Sequence, residues 1–214
     1  PYIIIKDGKE YVEANMQKMY AATSEVMFFG ETHGDPSTTK SLIFYLDDLK
    51  KAGFNAIALE CYANLQPSID KFMAMEDPSK AEDLLYDTFL PYYSAGVYSK
   101  ILLSMAAKKS NTPLFCIDMP ATEFPETLTD IASFLPKRDA WMEKRVLELL
   151  DKYGKVAVLC GRAHASFLSK QVIDFGDGIT TTINPLAYRL GMRGIPVYSL
   201  DFPYSFTQFR ARVE

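Results

Sequence analysis

Four runs of consecutive apolar residues recur along the chain, and each ends on polar side chains. Val26-Met27-Phe28-Phe29 leads into Gly30-Glu31, and Ala56-Ile57-Ala58-Leu59 into Glu60. Leu114-Phe115-Cys116-Ile117 leads into Asp118, and Val156-Ala157-Val158-Leu159-Cys160 into Gly161-Arg162. Runs without polar alternation predict strands covered on both faces, as in a parallel sheet. Helical spacing fills the intervals. Leu42, Tyr45, Leu46 and Leu49 predict a helix with Ser37 as its N-cap and Gly53 as its stop. Gln66-Pro67-Ser68 opens a second, with Ile69, Phe72 and Met73, and Ala81–Phe89 is a third. After the aromatic loop from Pro91 to Gly96 a fourth runs to about Lys109.

The stretch from Pro120 to Phe134 is less regular, and Lys137–Lys152 predicts a separate helix with Met142, Val146, Leu149 and Leu150 inward. Gly176-Asp177-Gly178 is a turn before a short extended run, Ile179–Ile183. A last helix starts at Asn184-Pro185, and Val197–Leu200 closes as a strand. At the other end, Asp7-Gly8 between Ile3–Ile5 and Lys9–Val12 predicts a hairpin, with a helix from Glu13 to Thr23 after it. Strands alternating with helices predict a three-layer α/β sandwich, its mostly parallel central sheet covered on both faces. No repeat or linker divides the chain, so residues 1–214 are expected to form one domain.

In such sheets ligands bind at the carboxyl ends of the strands. The chain's two histidines both fall there, in Gly30-Glu31-Thr32-His33 and Gly161-Arg162-Ala163-His164. Either they are hydrogen-bonded turn residues, or they join Glu31, Glu60 and Asp118 in one crevice. Imidazoles and carboxylates together suit a divalent transition metal, with His33, Glu60 and His164 as ligands. Without a metal, a His–Glu pair can do acid–base work. Asp118 is either a member of the crevice or a cap for the next helix. Lys137-Arg138-Asp139 reads as a solvated helix start with Asp139 favoured by the helix dipole. Tyr92, Tyr93 and Tyr98 are either rim packing or a pocket for a flat ligand.

A formal charge of −4 argues against nucleic acid as the main partner. No apolar run has the roughly 20 residues of a membrane span. Cys61, Cys116 and Cys160 lack zinc-site spacing and read as buried thiols. The chain begins Pro1-Tyr2-Ile3 with neither an initiator Met nor a signal-peptide pattern, as at a trimmed or mature end. The default compartment is the cytoplasm, or an exported one if a leader precedes.

Phe29-Gly30-Glu31-Thr32-His33-Gly34-Asp35, then Ala58-Leu59-Glu60 with Gln66-Pro67 and Asp70, resembles the ChaN-type haem-binding-uptake family. That family shares a superfamily with the TIKI and TraB proteins and the erythromycin esterases. The superfamily pattern has two Gly-x-x-His turns, a Glu after a strand, and Arg-Asp or Arg-Asn with a Met nearby, here Arg138-Asp139 and Met142. The resemblance implies an α/β sandwich with the site at the strand ends, and it makes Arg138 a site residue. TIKI relatives imply a metal-dependent protease, erythromycin esterases a lactone-opening enzyme, and ChaN relatives a haem carrier. The expected function is a hydrolase using Glu31, His33, Glu60, Arg138 and His164 on a small molecule or peptide. The alternative is a haem-binding protein using the tyrosines. A homodimer is left open.

Overall fold

A computed structural model of the chain describes residues 2–6, 9–13, 23–77, 80–93 and 96–201. Its strands are β1 (Tyr2–Lys6), β2 (Lys9–Glu13), β3 (Val26–Glu31), β4 (Ala56–Tyr62), β5 (Leu114–Asp118), β6 (Val156–Gly161), β7 (Gln171–Asp174), β8 (Thr180–Ile183) and β9 (Val197–Asp201). Its helices are α1 (Ser37–Lys51), α2 (Gln66–Ala74), α3 (Ala81–Phe89), α4 (Val97–Lys109), α5 (Leu128–Tyr153) and α6 (Leu186–Met192). Among the described residues five parallel strands pair in the order β5-β4-β6-β3-β9. β1 and β2 pair antiparallel with Lys6 opposite Lys9, as the sequence predicts. The turn residues Asp7-Gly8 lie outside the described residues, as does most of the helix expected from Glu13 to Thr23. Among the described residues no helix is long and apolar enough to cross a membrane.

The unbroken apolar runs have a direct cause, since the sheet has a core on each face. On one side Phe29, Ile57, Leu59 and Leu159 pack with Leu42, Leu49, Phe72, Leu85 and Leu103 from α1 to α4. On the other, Phe28, Ala58 and Val158 pack with Met142 and Val146 of α5 and Leu190 of α6. All three cysteines are free and buried. Register then levels the site. Gly30 lies opposite Cys160 and Glu31 opposite Gly161, while Leu59 lies opposite Leu159. β3 and β6 therefore end level, at Glu31 and Gly161, with Glu60 one residue past Leu59 on the adjoining strand.

Four expectations are corrected. Ser37 is the first residue of α1 rather than its cap, and its N–H is met by Asp35 Oδ1 at 2.9 Å. β4 continues past Glu60 to Tyr62, with its register against β5 shifting between Leu59 and Tyr62. Such an irregularity re-aims side chains at a strand end. Gln171–Asp174, not foreseen, pairs with β8 across the predicted turn, where Gly176, Asp177 and Gly178 take φ of 83°, 51° and 76°.

The fourth correction matters most for the site. The expected irregular stretch and the helix after it are one helix, α5, of 26 residues with Pro136 inside it. Thr127 caps its start, accepting the Asp130 N–H at 3.2 Å. A proline removes a backbone donor and orphans the carbonyl four residues earlier, here that of Ala132. Thr181 Oγ1 on β8 donates to that carbonyl at 2.6 Å. The hairpin thus supplies the hydrogen bond that Pro136 cannot, and the helix runs on. Arg138 and Asp139 consequently sit inside α5, away from the dipole at its start. Thr181→Val is expected to cost about 1–2 kcal/mol, the cost of leaving that carbonyl unpaired. In a Pro136→Ala background the cost should shrink toward zero, because residue 136 then has an N–H. Urea unfolding of the four proteins in this cycle measures it.

Candidate functional site

The first Gly-x-x-His turn leaves β3 and re-enters α1. The Asp35 N–H donates to the Thr32 carbonyl at 2.9 Å, and Thr38 Oγ1 donates to the Gly30 carbonyl at 3.1 Å. The second turn closes with the His164 N–H on the Gly161 carbonyl at 2.9 Å, and the Arg162 N–H bonds the Glu31 carbonyl at 3.0 Å. The turns pack closely at Gly30, where a Cβ would meet the Ala165 Cβ at 3.1 Å and the neighbour would have to give by a few tenths of an ångström.

On the α5 side the charges form one buried network. Glu60 accepts the Gly161 N–H on Oε2 at 2.5 Å and Arg138 Nη2 on Oε1. Asp118 accepts Arg138 Nε on Oδ1 at 2.8 Å and Nη2 on Oδ2 at 2.5 Å, in a bidentate grip. Asp118 is thus a member of the site rather than a helix cap. Arg138 Nη1 lies 3.2 Å from His164 Nε2, and His164 Nδ1 lies 2.9 Å from Asp139 Oδ1. In the neutral ring Nδ1–H donates to Asp139 Oδ1, which leaves Nε2 to accept from Arg138 Nη1. The Arg138 guanidinium also covers the Phe124 ring, 5.3 Å from its centroid.

On the other face, Glu31 Oε1 lies 3.2 Å from His33 Nδ1 and 3.6 Å from Lys100 Nζ. The His33 side chain is 66% exposed at the crevice mouth, whereas that of His164 is 6% exposed. Gly161 joins the two halves. A Cβ there would meet His33 Nε2 at 3.2 Å and Glu60 Oε2 at 3.4 Å, so both atoms border the space its missing side chain leaves.

The titrations follow from these contacts. Burial alone would raise the Glu60 carboxyl, but Arg138, the two imidazoles and the Gly161 N–H hold it well below the usual carboxylate range. For Asp118 burial wins and its carboxyl is raised despite Arg138. Burial pulls His164 down, yet Glu60 and Asp139 outweigh it and raise the imidazole. His33 is raised chiefly by its hydrogen bond to Glu31.

The structure brings Glu31, His33, Glu60, Arg138 and His164 together at the strand ends. The expected metal ligands His33, Glu60 and His164 do not present a ligand set. Both Glu60 oxygens are engaged, both His164 nitrogens face Asp139 and Arg138, and the guanidinium stands where a cation would bind. Among the described residues no three His, Cys, Asp or Glu side chains are grouped to hold a metal ion.

The three tyrosines are not gathered around a common space. Tyr93 OH accepts the Tyr62 N–H at 3.0 Å, and burial raises its phenol, which makes it a support for the strand end. Tyr92 stacks edge-on against Tyr62, with centroids 5.5 Å apart. Tyr98 is 64% exposed and lies nearest Tyr86.

Sequence reasoning missed Lys100, the His164–Asp139 pair, and Tyr62 and Phe124 beside Arg138. Lys100 had a signal. It lies on the helical stripe Val97, Ile101, Ser104 and Ala107, all buried, where a lysine is out of place.

No family model matches the sequence, and no curated protein matches it. Solved structures share its fold. RRSP, a MARTX toxin effector domain from Vibrio vulnificus, matches at 19% identity and a TM-score of 0.58, over 94% of this chain and 38% of its own. An erythromycin esterase in its open conformation matches at 15% and 0.57, over 84% and 70%. ChaN of Campylobacter jejuni, described with cofacial heme, matches at 15% and 0.55, over 97% and 94%. The chain spans a little over a third of the toxin chains it matches best in coverage, 36–38%. At these identities the fold is shared with haem-binding, esterase and toxin proteins, and no particular family is shown.

The His164 imidazole is raised above its ordinary 6.5 in the folded protein. Its stabilising charge is therefore fully present below that value and lost as pH rises through the folded pKa. The melting temperature is expected to fall as pH rises above about 6.5, more steeply than in His164→Gln. Calorimetric scans of both proteins across that range check it.

Proposed function

We propose that this crevice hydrolyses an acyl bond by general acid–base catalysis, with His33 as the base. The observation that carries the reading is the pair of imidazole–carboxylate contacts set on either side of Glu60, with one imidazole exposed and the other buried. The Glu31 carboxylate holds the His33 proton on Nδ1, so Nε2 carries the lone pair and faces the space beside Gly161 and Glu60. A water there loses a proton to Nε2 as its oxygen attacks the substrate carbonyl, and the imidazolium returns the proton to the leaving group. His164, buried and bonded at both nitrogens, holds Arg138 rather than touching substrate. Of the five guanidinium donors, four are engaged by Asp118, Glu60 and His164, and the remaining Nη1 N–H supports the negative charge that develops on the substrate oxygen. Likeness to an esterase agrees with this reading at the level of fold. The donor set does not fit a metal, and no step uses one.

A second reading is haem binding. It is favoured by the match to ChaN of Campylobacter jejuni, near full length in both chains. Tyr92, exposed in the turn after α3, or Tyr98, exposed on α4, would supply the iron ligand. Tyr93 would not, with its phenol committed to the strand end. Titration with hemin, followed at the Soret band, separates the two readings. A saturable band lost in Tyr98→Phe or Tyr92→Phe supports the carrier, and a flat titration removes it.

For the hydrolase, a panel of chromogenic esters and peptides is the assay. His33→Gln is expected to lower kcat by about 10²–10⁴-fold. Activity should rise with pH through a His33 pKa above 6.5, and EDTA should not change it. Unchanged activity in His33→Gln, or loss on chelation that added metal restores, overturns the proposal.

A further inference from the structure

Lys100 belongs to none of the motifs that locate the site. It lies in the first turn of α4, 4% exposed, on the buried face of the helix. A lysine placed so usually threads its amine out to water. Here Nζ instead points to the strand ends. It sits 4.5 Å above the centroid of the Tyr93 ring, itself fixed by the Tyr62 N–H, and 3.6 Å from Glu31 Oε1. That is the same oxygen that receives His33 Nδ1 at 3.2 Å. One carboxylate oxygen is thus shared by the Lys100 amine and by the candidate base.

We propose that Lys100 is a positioning residue for this reaction: it fixes Glu31 and shares its charge, so that His33 is oriented by the carboxylate without being locked as an imidazolium. The inference rests on the hydrolytic reading for its catalytic meaning, but the grip of Lys100 on the Glu31–His33 pair does not. The charged groups facing His33 are Glu31 from β3, Glu60 from β4 and Lys100 from α4. The two carboxylates favour the imidazolium, and Lys100 opposes them. A lysine that served only to neutralise a buried glutamate would stabilise the fold and leave the base unaffected. Sharing Oε1 with His33 is what makes the two roles differ.

The test reads His33 directly. With two histidines in the chain, the imidazole resonances are few, and His33→Gln assigns them. In Lys100→Met the NMR titration midpoint of His33 should rise by about one pH unit, the effect of removing a unit charge one ion pair away. Lys100→Arg should restore it to within a few tenths, and His164 should not move. The alkaline shift should reappear in the kcat–pH profile, with KM changed little. A His33 midpoint unmoved in folded Lys100→Met overturns the inference. Should that variant fail to fold, Lys100→Gln replaces it. The native protein offers an independent measurement, an ammonium cross-peak of Lys100 with contacts to the Tyr93 ring, and its absence also overturns the inference. If the midpoint shifts as stated but no variant hydrolyses any substrate, the hydrolytic reading falls and the role of Lys100 in holding the pair stands.

Discussion

The site depends on keeping one carboxylate ionised out of water. Glu60 is 5% exposed at the end of an apolar strand, where an unpaired charge costs several kcal/mol after relaxation. Arg138 and the Gly161 N–H offset that cost. Arg138 is almost as buried, so it needs a second anion, and Asp118 on the neighbouring strand supplies it. With Asp139 behind His164, three acidic side chains then face one guanidinium and one imidazole. The excess negative charge is what draws a proton toward His164. Each charge is present because of the one beside it. That is why the cluster draws on β4, β5, β6 and α5 together and cannot be assembled from any one motif.

The long α5 is the element this network could least do without. Arg138 reaches Glu60 and Asp118, and Asp139 reaches His164, only because the helix carries them past Pro136 over the strand ends. Its continuity relies on Thr181 from a hairpin outside the main sheet. A small peripheral ribbon therefore has a structural tie to the site, through a single hydrogen bond to the Ala132 carbonyl.

The sheet was legible because burial on both faces leaves unbroken apolar runs, and the strand ends could then be read off as places for Glu31, Glu60 and Asp118. Register could not be read, yet it is what ends β3 and β6 level, at Glu31 and Gly161. α5 was read as a loop-like stretch and a helix because a proline inside a helix ordinarily ends it. Its compensation comes from Thr181, 45 residues downstream of Pro136, and no local pattern carries that. Asp139 looked like a helix-start residue for the same reason, so its pairing with His164 stayed hidden. Lys100 was hidden differently: its stripe was legible, but a lone lysine in a helix reads as solvent-exposed until its neighbours are known.

The two Gly-x-x-His turns show how one sequence pattern yields two jobs. Both follow adjacent parallel strands, but the first closes with the Asp35 N–H on the Thr32 carbonyl and the second with the His164 N–H on the Gly161 carbonyl. The origin of each ring's partner differs too. His33 is held by Glu31, two residues earlier on its own strand, and a tether that short keeps the ring at the mouth of the crevice. His164 is held by Asp139, from a helix lying across the strand end, and that contact draws the ring under the helix and out of water. A local partner leaves an imidazole wet and able to exchange protons. A partner from a separate element buries it, and the buried one orients the guanidinium. Exposure, rather than the motif, divides the work between them.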